Sequence, residues 1–229
     1  MSIADNVKWI RDRIADAAIQ SGRRPSDITL VAASKMNGAP RVREAILAGV
    51  DAVGENRVQE LLAKDEKGAY AGAPLHFIGH LQSNKVKPLV ARCQLIESVD
   101  SAQLLREIDH RAAEMGKVQD VLIEVNIGGE ASKSGVSPEN LKEILEIAPQ
   151  FSSVQIEGLM CIPPISEKIG GERPFFDRMY ELFVDIKEKK YDNISMQHLS
   201  MGMSSSFEDA ILSGATMVRV GTAIFGDRQ

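Results

Sequence analysis

Short apolar runs alternate with helical patterns from one end of the chain to the other, and that alternation constrains the fold more than any other feature. The runs fall at residues 28–34, 52–55, 76–81, 95–99, 120–126, 156–162, 195–199 and 218–225. Helical patterns lie between them, at 40–48, 57–64, 85–92, 102–115, 138–147, 174–189 and 207–212. Pro40, Pro138 and Pro174 stand near helix starts, where a missing amide proton costs least, and Gly49, Gly116 and Gly214 follow helix ends. Leu30-Val31-Ala32-Ala33 and Val121-Leu122-Ile123 are continuously apolar rather than alternating. Such runs suit strands covered on both faces, as in parallel sheets. The pattern predicts an α/β fold, a single (β/α)8 TIM barrel spanning residues 1–229 as one domain. A doubly wound open sheet is the alternative. Ile3, Val7, Ile10, Ile14 and Ala17 form one apolar stripe, which predicts an extra N-terminal helix over residues 1–22 packed on the barrel.

Composition narrows the partners. Lys plus Arg is 27 and Asp plus Glu is 32, a net charge of -5, which argues against a general nucleic-acid or membrane-surface binder. It leaves room for a local basic pocket. The two cysteines, Cys93 and Cys161, sit in apolar runs and read as small buried hydrophobes. No run approaches the ~18 apolar residues of a membrane span, and the N-terminus lacks the apolar core of a signal peptide, so a cytoplasmic location is expected.

In a barrel of this kind the chemistry sits at the C-terminal ends of the strands. The first strand ends in Ser34-Lys35. Lys35 is either a solvated surface charge or an amine facing the mouth, where it is a nucleophile toward aldehydes and forms a Schiff base. The second ends in Gly54-Glu55-Asn56, and Asn56 either caps the next helix or faces the mouth. The third runs into Gly79-His80-Leu81-Gln82-Ser83-Asn84-Lys85, dense in polar side chains. His76, His80, His110 and His198 have no metal-ligand spacing, so a zinc site is not expected. Residues 126–135 lack Walker A spacing and read as a mobile polar loop at the mouth.

The strongest local signal is near the C-terminus. Ser200-Met201-Gly202-Met203-Ser204-Ser205-Ser206 precedes a helix, and small hydroxyl residues there either cap it or receive an anion. Val218-Arg219-Val220-Gly221-Thr222 places an arginine inside an apolar strand, where leaving it unpaired is costly. Loops after the seventh and eighth strands are the usual phosphate site of such barrels. A lysine on strand one facing a phosphate site at strands seven and eight suits a phosphorylated aldehyde, and pyridoxal 5'-phosphate is the cofactor expected.

The chain resembles the pyridoxal phosphate homeostasis protein family. The matching segments are residues 30–35, Gly54-Glu55-Asn56 with Val58-Gln59-Glu60, residues 76–85, 130–135, Gly158-Leu159-Met160, 199–205 and 217–226, in order along nearly the whole chain. The resemblance implies a fold type III barrel like that of alanine racemase, with the Schiff base on Lys35. It implies that Ser200, Gly221 and Thr222 hold the phosphate with help from Ser204, and that Arg219 faces the pyridine nitrogen. Asn56, His80 and Met160 are implied pocket neighbours. Two departures stand out: Met36-Asn37-Gly38 replaces the usual Thr-Lys-Pro, and Ser206 stands where an aspartate is usual.

A permanently charged arginine at the pyridine nitrogen disfavours its protonation and weakens the ring as an electron sink. Racemases with this feature add a tyrosine base from a second domain. Here the barrel takes up the 229 residues, and Tyr70, Tyr180 and Tyr191 lie on helix or loop patterns. The expectation is a monomeric, non-catalytic protein that buffers or delivers the cofactor, with cofactor-dependent client enzymes as partners. A small racemase is the alternative, and a Schiff-base aldolase acting on a sugar phosphate is a third reading.

Overall fold

The computed structural model describes residues 2–166, 168, 170–189 and 191–226. Helix α1 (Ile3–Gln20) opens on a reciprocal cap: the Ser2 hydroxyl accepts from the Asp5 amide, and the Asp5 carboxylate accepts from the Ser2 amide. Its buried stripe, Val7, Ile10 and Ile14, is the one the spacing predicts. The eight strands are β1 (Thr29–Ala33), β2 (Ala52–Glu55), β3 (Leu75–Phe77), β4 (Leu95–Val99), β5 (Gln119–Glu124), β6 (Val154–Met160), β7 (Ile194–Ser200) and β8 (Met217–Val220). Between them lie α2 (Ala39–Leu47), α3 (Val58–Asp65), α4 (Val86–Val90), α5 (Ala102–Glu114), α6 (Leu141–Ile147), α7 (Arg173–Lys189) and α8 (Phe207–Leu212), and α9 (Thr222–Phe225) follows the last strand.

The strands pair in chain order, all parallel, and close between β1 and β8 into a barrel. The open-sheet alternative is excluded by that closure. Two-residue periodicity divides the side chains. One set faces the helices and joins the large outer core, in which Phe77, Ile96 and Phe207 are almost fully enclosed. The other faces the axis, where Val31, Ala52, Leu95, Leu122, Met160 and Met217 form a separate apolar cluster. Helix α1 packs on the outside against α2, α8 and α9, and Asn6 Nδ2 donates to the Ile224 carbonyl at 2.9 Å. No helix among the described residues is long and apolar enough to cross a membrane.

The eighth strand is shorter than its apolar run suggests. Residues 218–225 read as one strand, yet β8 stops at Val220 and residues 222–225 turn into α9. Gly221 makes the break, with φ −115° and ψ −80°, which fits neither a regular strand nor a helix. The apolar character of Ala223, Ile224 and Phe225 comes from packing beneath α1 rather than from the sheet. The break turns the Gly221 and Ala223 amides toward the Ser204 hydroxyl.

Gly158 lets β6 and β7 approach. Its φ is +153°, and a Cβ there would lie 1.8 Å from the His198 carbonyl oxygen. Gly158→Ala is expected to cost about 2–3 kcal/mol through backbone displacement. For a chain of this size that lowers the thermal midpoint by roughly 5–10 °C in a denaturation scan.

Candidate functional site at the barrel mouth

Val31 and Ala33 lie on the axis-facing side of β1, and Lys35 follows in the turn after the strand at the C-terminal mouth, where it is exposed. Its backbone is fixed from both sides. Lys64 Nζ donates to the Ser34 carbonyl at 2.8 Å, and the Met36 amide donates to Glu60 Oε1 at 2.5 Å. Behind the strand, Glu55 accepts from Lys64 at 2.6 Å, from the Tyr70 hydroxyl at 3.0 Å and from the Ser34 hydroxyl. Burial pushes the Glu55 carboxyl up, and its bonds to Lys64 and Ser34 pull partly against that. Met36 occupies a left-handed conformation, φ +64°, that this clamp holds in place.

On the neighbouring strand the register pairs Ala32 with Val220, so Gly221 follows beside Ala33. The Gly221 and Ala223 amides both donate to Ser204 Oγ at 3.2 Å. Ser204, Gly221 and the exposed Thr222 therefore meet at one point, next to the strand that carries Lys35. Ser206 shapes the turn before α8, its hydroxyl accepting from the Met203 amide at 3.4 Å.

Arg219 lies one layer below, buried on the axis. Its Nη1 donates to Ser200 Oγ at 2.6 Å and its Nη2 to the Cys161 carbonyl at 2.8 Å. Ser200 is fully buried, with its hydroxyl placed between Arg219 and Glu97. A guanidinium carries five donors, so others remain for an acceptor in the mouth. Burial pushes Glu97 up, but the bond and charge of His76, the charge of Arg219 and the Ser200 hydroxyl together hold it below the usual carboxylate range.

Asn56 does not cap α3: the capping position is Arg57, and no side chain bonds the helix there. Its Oδ1 is instead buried without a partner. It lines a cavity of about 300 Å³ with Ile78, Gly79, His80, Glu124 and Ser134. His80 contacts Asp100 at 3.3 Å and Ser134 at 3.0 Å. Met160 belongs to the apolar floor beneath the mouth, fully enclosed. The loop over residues 126–135 is braced: Asn126 Nδ2 donates to the Glu130 carbonyl at 2.8 Å, and Lys133 Nζ to the Pro163 carbonyl at 2.9 Å. Both cysteines are buried thiols pushed up to about 12 by desolvation.

Two carboxylates and a histidine along the axis escape a reading of strand ends: Glu97, Glu124 and His76. The available signal was the one that picked out Arg219, a charge inside an apolar strand. Glu97 interrupts Leu95-Ile96 and Ser98-Val99, and Glu124 interrupts Ile123 and Val125.

A family model for the alanine racemase N-terminal domain matches residues 2–229. A pyridoxal phosphate homeostasis protein of Aquifex aeolicus is 44% identical over 229 residues, covering 100% of both chains. The chain belongs to the pyridoxal phosphate homeostasis protein family. Two solved structures share the fold at comparable identity. An unknown protein from Bifidobacterium adolescentis superposes with a TM-score of 0.90 at 37% identity, covering 97% of this chain and 94% of that one. PipY of Synechococcus elongatus, solved with pyridoxal phosphate bound, gives 0.80 at 34% identity, covering 95% of this chain and 100% of its own.

Glu124 offers a direct check on the electrostatics of this family member. Burial pushes its carboxyl up to about 7, with the nearby Arg219 charge opposing the shift. Its folded value lies above its unfolded one, so the protonated form favours folding. That stabilisation is complete below about pH 4.5 and is lost as the pH rises toward 7. Glu124→Gln is expected to flatten the dependence and to gain up to about 3 kcal/mol over wild type at pH 8. Chemical denaturation of both proteins across this range checks it, and parallel curves contradict the assignment.

Proposed function

We propose that this chain binds pyridoxal 5'-phosphate reversibly through a Schiff base on Lys35 and serves as a cytoplasmic buffer or donor of the cofactor to client enzymes. When bound, pyridoxal phosphate supplies an aldehyde that condenses with a primary amine, beside a phosphate and a pyridine nitrogen. The chain's residues fit that set of groups. The observation that carries the reading is the placement of Lys35, just after β1, beside the Ser204 hydroxyl after β7 and the Gly221 and Ala223 amides after β8, above the buried Arg219.

Each residue has a definable task in this reading. Lys35 presents its amine from a clamped backbone, which fixes the base of a long side chain. Gly221, Thr222 and Ser204 receive the phosphate through amides and hydroxyls, whereas Ser200, expected from the sequence to join them, is fully buried with its hydroxyl committed to Arg219 and Glu97 and has no proton left for a phosphate. Arg219 directs its remaining donors at the ring nitrogen and keeps it unprotonated. Asn56 offers its unpartnered carbonyl oxygen from the opposite wall, with His80 at the rim and Met160 beneath.

The same geometry favours a carrier over a racemase. A racemase needs a second base at the mouth, and the three tyrosines stand elsewhere. Tyr70 is buried behind β2, its hydroxyl held protonated by burial and by the adjacent Glu55. Tyr180 lies exposed on α7, and Tyr191 precedes β7 at the opposite end of the barrel.

Loading the purified protein with pyridoxal phosphate is expected to give a yellow species. Borohydride should fix it as a label on the peptide containing Lys35, and Lys35→Ala should fold normally and lose the label. Incubation with L-alanine should yield no D-alanine above the Lys35→Ala background. Label on another lysine overturns the site, a colourless protein favours the aldolase reading, and Lys35-dependent D-alanine establishes the racemase.

A further inference from the structure

Arg219 is not held by the mouth of the barrel alone. A chain of buried side chains runs from it along the axis to the opposite end. Arg219 Nη1 lies 2.6 Å from Ser200 Oγ, Ser200 Oγ lies 2.6 Å from Glu97 Oε2, and Glu97 Oε1 lies 2.8 Å from His76 Nδ1. The direct Arg219–Glu97 separation is 3.9 Å, so the serine hydroxyl sits within an ion pair. His76 in turn lines a cavity of about 440 Å³ at the N-terminal mouth, together with Thr29, Ala52, Leu95 and His198.

The direction of every bond in this chain follows from the arginine. A guanidinium has no acceptor, so Ser200 must accept from Arg219 and give its own proton to Glu97. Glu97 therefore accepts at Oε2. An ionised carboxylate accepts at both oxygens, so His76 must donate from Nδ1 to Oε1. The protonated nitrogen of His76 is thereby fixed by a residue three side chains away. Among buried groups such a fully matched series is rigid, because turning any member leaves a donor facing a donor.

We propose that Glu97 and His76 are positioning residues for the cofactor, aiming Arg219 at the ring nitrogen through Ser200. The inference rests on the pyridoxal phosphate reading above. Glu97 neutralises the buried guanidinium from below, where the counter-charge does not compete for donors facing the mouth. His76 keeps Glu97 from rotating toward the solvent of the N-terminal cavity.

A double-mutant cycle tests this through cofactor affinity, read from the visible absorbance of titrated protein. Wild type must first bind pyridoxal phosphate with a borohydride-fixed label at Lys35; failure here overturns the functional reading itself. Glu97→Gln leaves one acceptor for two donors, so it should weaken binding about tenfold or more. In an Arg219→Gln background the same change should alter affinity by less than about twofold, because its target is gone. His76→Asn keeps a donor near the Nδ1 position and should bind close to wild type, whereas His76→Leu should match Glu97→Gln. Should Glu97→Gln not fold, Ser200→Ala cuts the link while leaving both charges in place and completes the same cycle. Equal losses in both backgrounds, or no loss in either, overturn the proposal while leaving Lys35 attachment intact.

Discussion

A permanent positive charge buried on the axis of an apolar barrel sets the terms for the rest of this structure. Arg219 cannot shed its proton to escape desolvation, so every neighbour must answer it. Glu97 supplies the counter-charge, Ser200 and the Cys161 carbonyl take donors, and His76 braces Glu97. These groups come from β3, β4, β7, β8 and the turn after β6. A sheet that did not close could not bring them around one guanidinium, so the charge and the barrel depend on each other.

The lysine is handled in the opposite way. Lys35 is exposed, and the structure invests in its backbone instead of its side chain. Lys64, Glu60 and Glu55 anchor the peptides on either side of it from behind β1 and β2. A rigid stem with an exposed amine suits the reversible Schiff base proposed for Lys35. The polar cluster behind the sheet thus serves the mouth without reaching it.

Much of this was legible in the sequence, for reasons that can be stated residue by residue. The eight strands are visible because both faces of each are covered, which writes continuous apolar runs such as Leu30 to Ala33. Arg219 is visible because a charge in such a run contradicts its surroundings. The same contradiction marks Glu97, which attention to strand ends passes over because it lies in the middle of β4, and Glu124, which ends β5 but falls inside the longer strand expected over residues 120–126. The α9 turn is hidden because its apolar residues serve α1, and a packing demand from outside the sheet looks the same as one from within. Asn56 is ambiguous for a local reason: the residue type that caps helices also offers an amide to a pocket, and only the orphaned Oδ1 separates the two.

The Ser204 hydroxyl gives the mouth an internal substitute for its guest. By accepting from the Gly221 and Ala223 amides, it spares those donors the cost of standing bare in a partly enclosed site. An anion arriving there exchanges one satisfied arrangement for another, so its departure leaves no debt of unmatched hydrogen bonds. A site made in this way grips only by the difference between two good states. That thermodynamic softness suits the reversible binding proposed for this chain.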